Sequence, residues 1–167
     1  INIPSFRLWA LDDAARTDRP VLTMPVVAGR AIRSETPVFL GLMRYVEFSP
    51  YWNVPPKIAR NELLPKIKEN PGYLTEQNFE LLSGWSGDDV PVDPTSIDWS
   101  TVSTADFAYK LRQRPGQGNA LGRVKFMFPN QHSVYLHDTS DRQLFQRANR
   151  TLSSGCVRVD RPIELAE

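Results

Sequence analysis

The chain has 167 residues and a formal net charge of +1, with 41% hydrophobic, 10% aromatic and 23% charged residues. This is an ordinary soluble-globular composition, with room for one sizeable domain or one domain carrying an insertion. The balanced charge offers no basic surface for nucleic acid or anionic lipid, and no apolar run approaches the roughly 20 residues that span a bilayer. A single cysteine rules out an internal disulfide and a cysteine-rich zinc site.

The chain begins at Ile1, without a methionine and without a signal-like segment, so it is expected to be a mature or excised piece. Fourteen prolines favour strands, turns and irregular loops over long helices. INIPSFRLWALDD, the polar DDAARTDRP and the apolar VLTMPVVAG predict an opening β-hairpin. TPVFLGLMRYVEFSPYW, rich in β-branched and aromatic residues, predicts another strand or pair of strands. NVPPKIARNELLPKIKENPGYL has helical periodicity at Ile58, Leu63, Leu64 and Ile67, with Pro65 limiting the helix. NFELLSGW reads as a short strand. SGDDVPVDPTSIDWSTVSTAD reads as a long loop, in which Trp85 and Trp99 call for a packing surface. Residues 53–106 are therefore expected to form an inserted capping subdomain, with FAYKLRQRPG returning to the sheet of a domain built from 1–52 and 107–167. LGRVKFMF and HSVYLH predict two further strands. TSDRQLFQRANR predicts a short helix capped by Ser140, SSGCVRV a turn entering a strand, and RPIELAE a final helix. The fold class is mostly β with short helices (α+β).

The lone thiol, Cys156, has two readings. A free cysteine commonly packs as a small inert hydrophobe. A nucleophilic one needs a base, a means of lowering its pKa, and donors for an oxyanion. The two histidines, His132 and His137, are five residues apart, which puts them on opposite faces of a strand. That spacing argues against a shared metal. His137, at the strand end, is the better base; His132 reads as a solvent-facing hairpin residue. Tyr135 shares the face of His137. Gly155 allows close backbone approach, so the N–H groups of Ser154, Gly155 and Cys156 are candidates for an oxyanion hole. Arg158 falls on the face of Cys156 and suits a substrate carboxylate or the thiolate. Ser153 and Ser154 lack the G-x-S-x-G elbow of serine hydrolases and read as turn residues. The residues by themselves leave a structural thiol and a Cys–His acyl-transfer site both open.

HDTSDRQLFQRANRTLSSGCVRV resembles the signature of L,D-transpeptidase (YkuD-type) catalytic domains: a histidine, a spacer, then [ST]-[HS]-G-C followed by an aliphatic residue and arginine or asparagine. MPVVAG, TPVF and RYVEFSPYWNVP are similar to the early strands of that domain. PYWNVP and the long segment after it resemble the lid-bearing, YcbB-like subgroup of Gram-negative bacteria. Ser154 stands where many members carry a second histidine, which fits that subgroup and leaves His137 as the base.

The resemblance implies a β-sandwich-like catalytic domain that cross-links peptidoglycan, in cell-wall organisation and cell shape. Cys156 would attack the third residue of a tetrapeptide stem and release D-alanine, with His137 as base. A neighbouring stem's amine would then resolve the thioester into a 3→3 bond. The implied substrate contacts are Arg158, Tyr135, Tyr51, Trp52 and Ser153. Partners would be donor and acceptor stems, and carbapenems as covalent inhibitors, with neither metal nor cofactor and with a periplasmic location. A lone thiol suits that oxidising compartment. Competing readings are a carboxypeptidase or exchange relative, a protein-anchoring relative, and a non-catalytic peptidoglycan-binding module.

Overall fold

The computed structural model describes residues 1–11, 20–32, 34–84 and 89–167. Most of the polar hairpin connection at 12–20, and Trp85, lie outside the described residues. The strands in chain order are β1 (Arg7–Ala10), β2 (Leu22–Gly29), β3 (Tyr45–Phe48), β4 (Trp52–Asn53), β5 (Phe79–Leu82), β6 (Lys110–Gln113), β7 (Val124–Met127), β8 (Leu136–His137), β9 (Thr151–Ser153) and β10 (Val157–Val159). Short helices α1 (Pro56–Ile58), α2 (Leu64–Glu69), α3 (Tyr73–Glu76) and α4 (Pro162–Ala166) accompany them. The protein is mostly β with short helices.

The chain divides into two compact units, one formed by Ile1–Pro50 with Ala120–Glu167, the other by Tyr51–Asn119. The first is organised by a seven-stranded sheet in the order β1-β2-β10-β8-β7-β3, with β9 also paired to β2. The opening hairpin forms, β1 antiparallel to β2. β10 runs parallel to β8 and antiparallel to β2. The pleat separates two faces. Phe126, Leu136 and Val157 face one core with Leu8, Met24, Val26, Val124 and Val159, against which α4 lays Ile163, Leu165 and Ala166. The next register row crosses the sheet as Glu47, Lys125, His137, Arg158 and Val27. On that side Val27 packs on Leu144 and Phe145 of a 3₁₀ helix, Arg142–Gln146. A polar row on one face of a sheet whose other face is core places the chemistry.

The second unit has its own core of Val54, Ala59, Leu63, Leu64, Ile67, Leu74, Leu81, Trp99, Phe107 and Leu111. Its three-stranded sheet runs β4-β6-β5. FAYKLRQRPG therefore does not return to the first unit's sheet: β6 pairs on both edges within the second unit, whose compact bounds are wider than 53–106. Pro65 does not stop the helix either. A π-helical turn, Ala59–Leu63, has the Leu64 N–H donating to the Ala59 carbonyl, and this widened turn accommodates a ring that would clash in regular α geometry.

Three local expectations are met in part. TPVFLGLMRYVEFSPYW holds β3 and the start of β4, and Tyr45–Phe48 finds its partner in β7; Val38 and Leu40, before β3, are almost fully exposed. In HSVYLH only Leu136–His137 pairs. Asn130 organises the preceding turn, its side chain accepting from the His132 and Val134 amides and donating to the Phe128 and Val134 carbonyls. The short helix after Ser140 forms as the 3₁₀ helix, but Asp141 rather than Ser140 precedes it and no side chain caps it.

Candidate active site

Ser154, Gly155 and Cys156 connect β9 to β10. Gly155 has φ +119°, a backbone region that L side chains rarely adopt. The turn is fastened from two sides. Ser153 Oγ donates to the Cys156 carbonyl at 2.6 Å and accepts from the Gly155 N–H at 3.2 Å. Thr36 Oγ1 donates to the Gly155 carbonyl at 2.8 Å and accepts from the Gly29 N–H at 2.8 Å. The Gly155 amide is thus occupied, whereas no acceptor among the described residues takes the N–H of Ser154 or Cys156.

β8 runs alongside this turn in parallel, with Leu136 opposite Val157 and His137 opposite Arg158. Tyr135, Cys156, His137 and Arg158 thereby share one face. The Tyr135 and His137 ring centroids are 5.6 Å apart. His137 is buried, and its Nδ1 lies 2.5 Å from the Asp138 carbonyl oxygen. A carbonyl can only accept, so Nδ1 carries the proton and Nε2 keeps its lone pair, the tautomer a general base requires. Asp138 is itself fixed. Its carboxylate takes the Arg123 N–H at 2.9 Å and pairs with Arg142 at 3.0 Å, and Arg142 also grips Asp160 at 2.6 Å.

Burial, then the charges of Arg158 and Lys125, hold His137 down at about 3, against a hydrogen bond to Asp138 that acts upward. Burial pushes the Cys156 thiol up; hydrogen bonds from the Tyr135 amide and hydroxyl, with Lys125 and Arg158, oppose it. The resting pair is consequently neutral thiol and neutral imidazole. Two cations nonetheless stand where they favour a thiolate and disfavour an imidazolium. Lys125 is seated by the Tyr135 ring, with Nζ 4.6 Å from its centroid, and lies 3.8 Å from Glu47. Burial raises the Tyr135 phenol above its usual range, so Tyr135 is a standing O–H donor toward the sulfur.

Ser153, Ser154, Gly155, Cys156, Tyr135, His137 and Arg158 therefore come together in the first unit. Tyr51 and Trp52 belong to the second unit, where Tyr51 lies beneath Arg112 at 4.9 Å and Trp52 packs on Phe79. His132 is exposed, its ring 5.4 Å from that of Phe39. Sequence spacing does not mark Thr36, Lys125 and Asp138. Only Asp138 carried a local signal, as the neighbour of His137; the other two arrive through strand register and a long-range loop.

Residues 1–167 match the L,D-transpeptidase catalytic domain (YkuD). The chain belongs to that family. It is 41% identical over 166 residues to a Haemophilus influenzae protein provisionally named an L,D-transpeptidase, covering 99% of this chain and 32% of that protein. The chain thus spans about a third of the length of that relative. In this L,D-transpeptidase domain the SSGCVR stretch, on which the resemblance rests, coincides with the fastened turn between β9 and β10.

Proposed function

We propose that the domain is a cysteine acyltransferase that forms 3→3 cross-links between peptidoglycan stem peptides. The observation that carries this reading is the hydrogen bond from His137 Nδ1–H to the Asp138 carbonyl, which leaves Nε2 basic on the face shared with Cys156. His137 takes the thiol proton as sulfur attacks the carbonyl of the third stem residue. The Tyr135 O–H, Lys125 and Arg158 stabilise the sulfur as it becomes anionic. The N–H groups of Ser154 and Cys156, which meet no acceptor among the described residues, are the donors available to the oxyanion. The tetrahedral adduct collapses as the imidazolium gives its proton to the leaving D-alanine amine, producing a thioester on Cys156. The side-chain amine of a second stem then attacks the thioester, giving its proton to His137 and restoring the thiol.

A carbapenem would acylate the same sulfur by opening its strained lactam. The test is intact mass after incubation with a carbapenem, beside Cys156→Ala. One drug equivalent gained only by the native chain is expected; no adduct on folded protein would sink the reading.

In this reading the second unit favours an acceptor amine over water. Excising it should lower the ratio of transfer to hydrolysis, and an unchanged ratio would refute that role. A peptidoglycan substrate and the resemblance to the lid-bearing subgroup support a periplasmic location.

A further inference from the structure

Thr36 lies in an irregular segment far from Cys156 in sequence, yet it touches the nucleophile turn directly. Its hydroxyl works in both directions: it accepts from the Gly29 N–H at 2.8 Å and donates to the Gly155 carbonyl at 2.8 Å. The approach is close enough that a Cβ on Gly29 would meet the Ser34 carbonyl oxygen at 2.0 Å and the Thr36 nitrogen at 2.7 Å, so the segment is held tightly against the end of β2. Ser34 Oγ adds a long contact to the Ser153 carbonyl at 3.5 Å.

The Gly155 carbonyl and the Cys156 N–H belong to one trans peptide, where they point in opposite directions. A hydroxyl fixed to β2 and holding that carbonyl sets the direction of the amide. Gly155, at φ +119°, has unusual rotational freedom, so without an anchor this peptide plane is the part of the turn most able to rotate. Ser153 does not supply that anchor, because it binds the two flanking groups, the Gly155 N–H and the Cys156 carbonyl.

We propose that Thr36 is a positioning residue for acyl transfer: through the Gly155 carbonyl it aims the Cys156 N–H at the oxyanion. The inference rests on the cysteine acyltransferase reading. It predicts a split between two reactions at the same sulfur. Acylation builds an oxyanion, whereas alkylation by iodoacetamide is a displacement at carbon and builds none.

The experiment compares the native chain, Thr36→Val, Thr36→Ala and Thr36→Ser. Acylation of Cys156 by p-nitrophenyl acetate and alkylation by iodoacetamide are each followed by intact mass, with thermal melting as a control on folding. Val and Ala are expected to slow acylation about tenfold to a hundredfold. They should leave alkylation within about twofold, and Ser should restore acylation. Ala serves if Val does not fold. Parallel losses in both reactions, or no loss in either, would overturn the role. A native chain that is acylated by the ester but inert toward tetrapeptide stems would remove the peptidoglycan reading and leave Thr36 to be judged on the ester. A native thiol that alkylates but accepts no acyl group would overturn both.

Discussion

His137 donates its Nδ1 proton to the carbonyl of the residue that follows it, Asp138, at 2.5 Å. The orienting group of the candidate base is thus main chain, and its placement depends on whatever holds the Asp138 peptide. Gly122 is one such element. At φ +62° it packs so closely that an added Cβ would meet the Asp138 carboxyl at 2.4 Å. Gly122→Ala should therefore cost about 1–3 kcal/mol in backbone strain alone, with a further steric displacement of Asp138. The expected outcome is a lower melting temperature together with slower acylation of Cys156. Native-like melting and acylation would show that the packing relaxes freely.

The Asp138 carboxylate is the second element. It is 5% exposed, and it accepts from the Arg123 amide and pairs with Arg142. Asp138→Ala leaves that amide and one side of Arg142 without their acceptor, an effect of about 1–3 kcal/mol for a buried group. If the carboxylate serves to hold the imidazole, kcat should fall while KM stays near the native value. A change confined to KM would assign Asp138 to substrate contact instead.

That Ser154, Gly155 and Cys156 form a turn, and that His137 and Arg158 share a face with the thiol, was legible because each depends on local rules. Gly155 precedes the thiol in a tight turn, period-two alternation puts Tyr135 with His137, and the same alternation puts Arg158 with Cys156. Lys125 was not legible, since its place beside His137 depends on the pairing of β7 with β8, and no single strand encodes its partner. Thr36 was not legible either, because 119 residues separate it from Gly155. The bounds of the second unit differ from 53–106 for a related reason. β6 has the composition of a strand of either sheet, and only its register with β4 and β5 assigns it. Pro65 misled because a π-helical turn can absorb a ring that ordinary helix geometry rejects.

The cation pair gives a prediction about the thiol. Lys125 and Arg158 both act to lower the Cys156 pKa against burial. Replacing Lys125 or Arg158 by Met should move the midpoint of iodoacetamide alkylation against pH upward and slow the reaction at neutral pH. The same substitutions remove charges that hold His137 down, so its titration should move up toward its ordinary value. Rate–pH profiles of the single variants check both directions at once. A downward or unchanged thiol midpoint would mean that these charges are screened from the sulfur.

Burial of the neutral imidazole also leaves a signature in stability. Burial and the neighbouring cations hold His137 at about 3 in the folded chain, against an ordinary value of 6.5. Between those two values the unfolded chain holds a proton on this histidine that the folded chain does not. Unfolding free energy therefore rises with pH across that window, by at most about 1.4 kcal/mol per pH unit from this group. The contribution is fully present above 6.5, is lost progressively as pH falls toward 3, and changes no further below that. Carboxylates titrate in the same range, so the informative quantity is the difference between the native chain and His137→Asn. Urea unfolding from pH 7.5 to pH 4 should show the native chain losing stability more steeply than the variant. Equal slopes would mean that the folded protein accepts a proton on His137 as readily as the unfolded chain does, and that burial does not hold its pKa down.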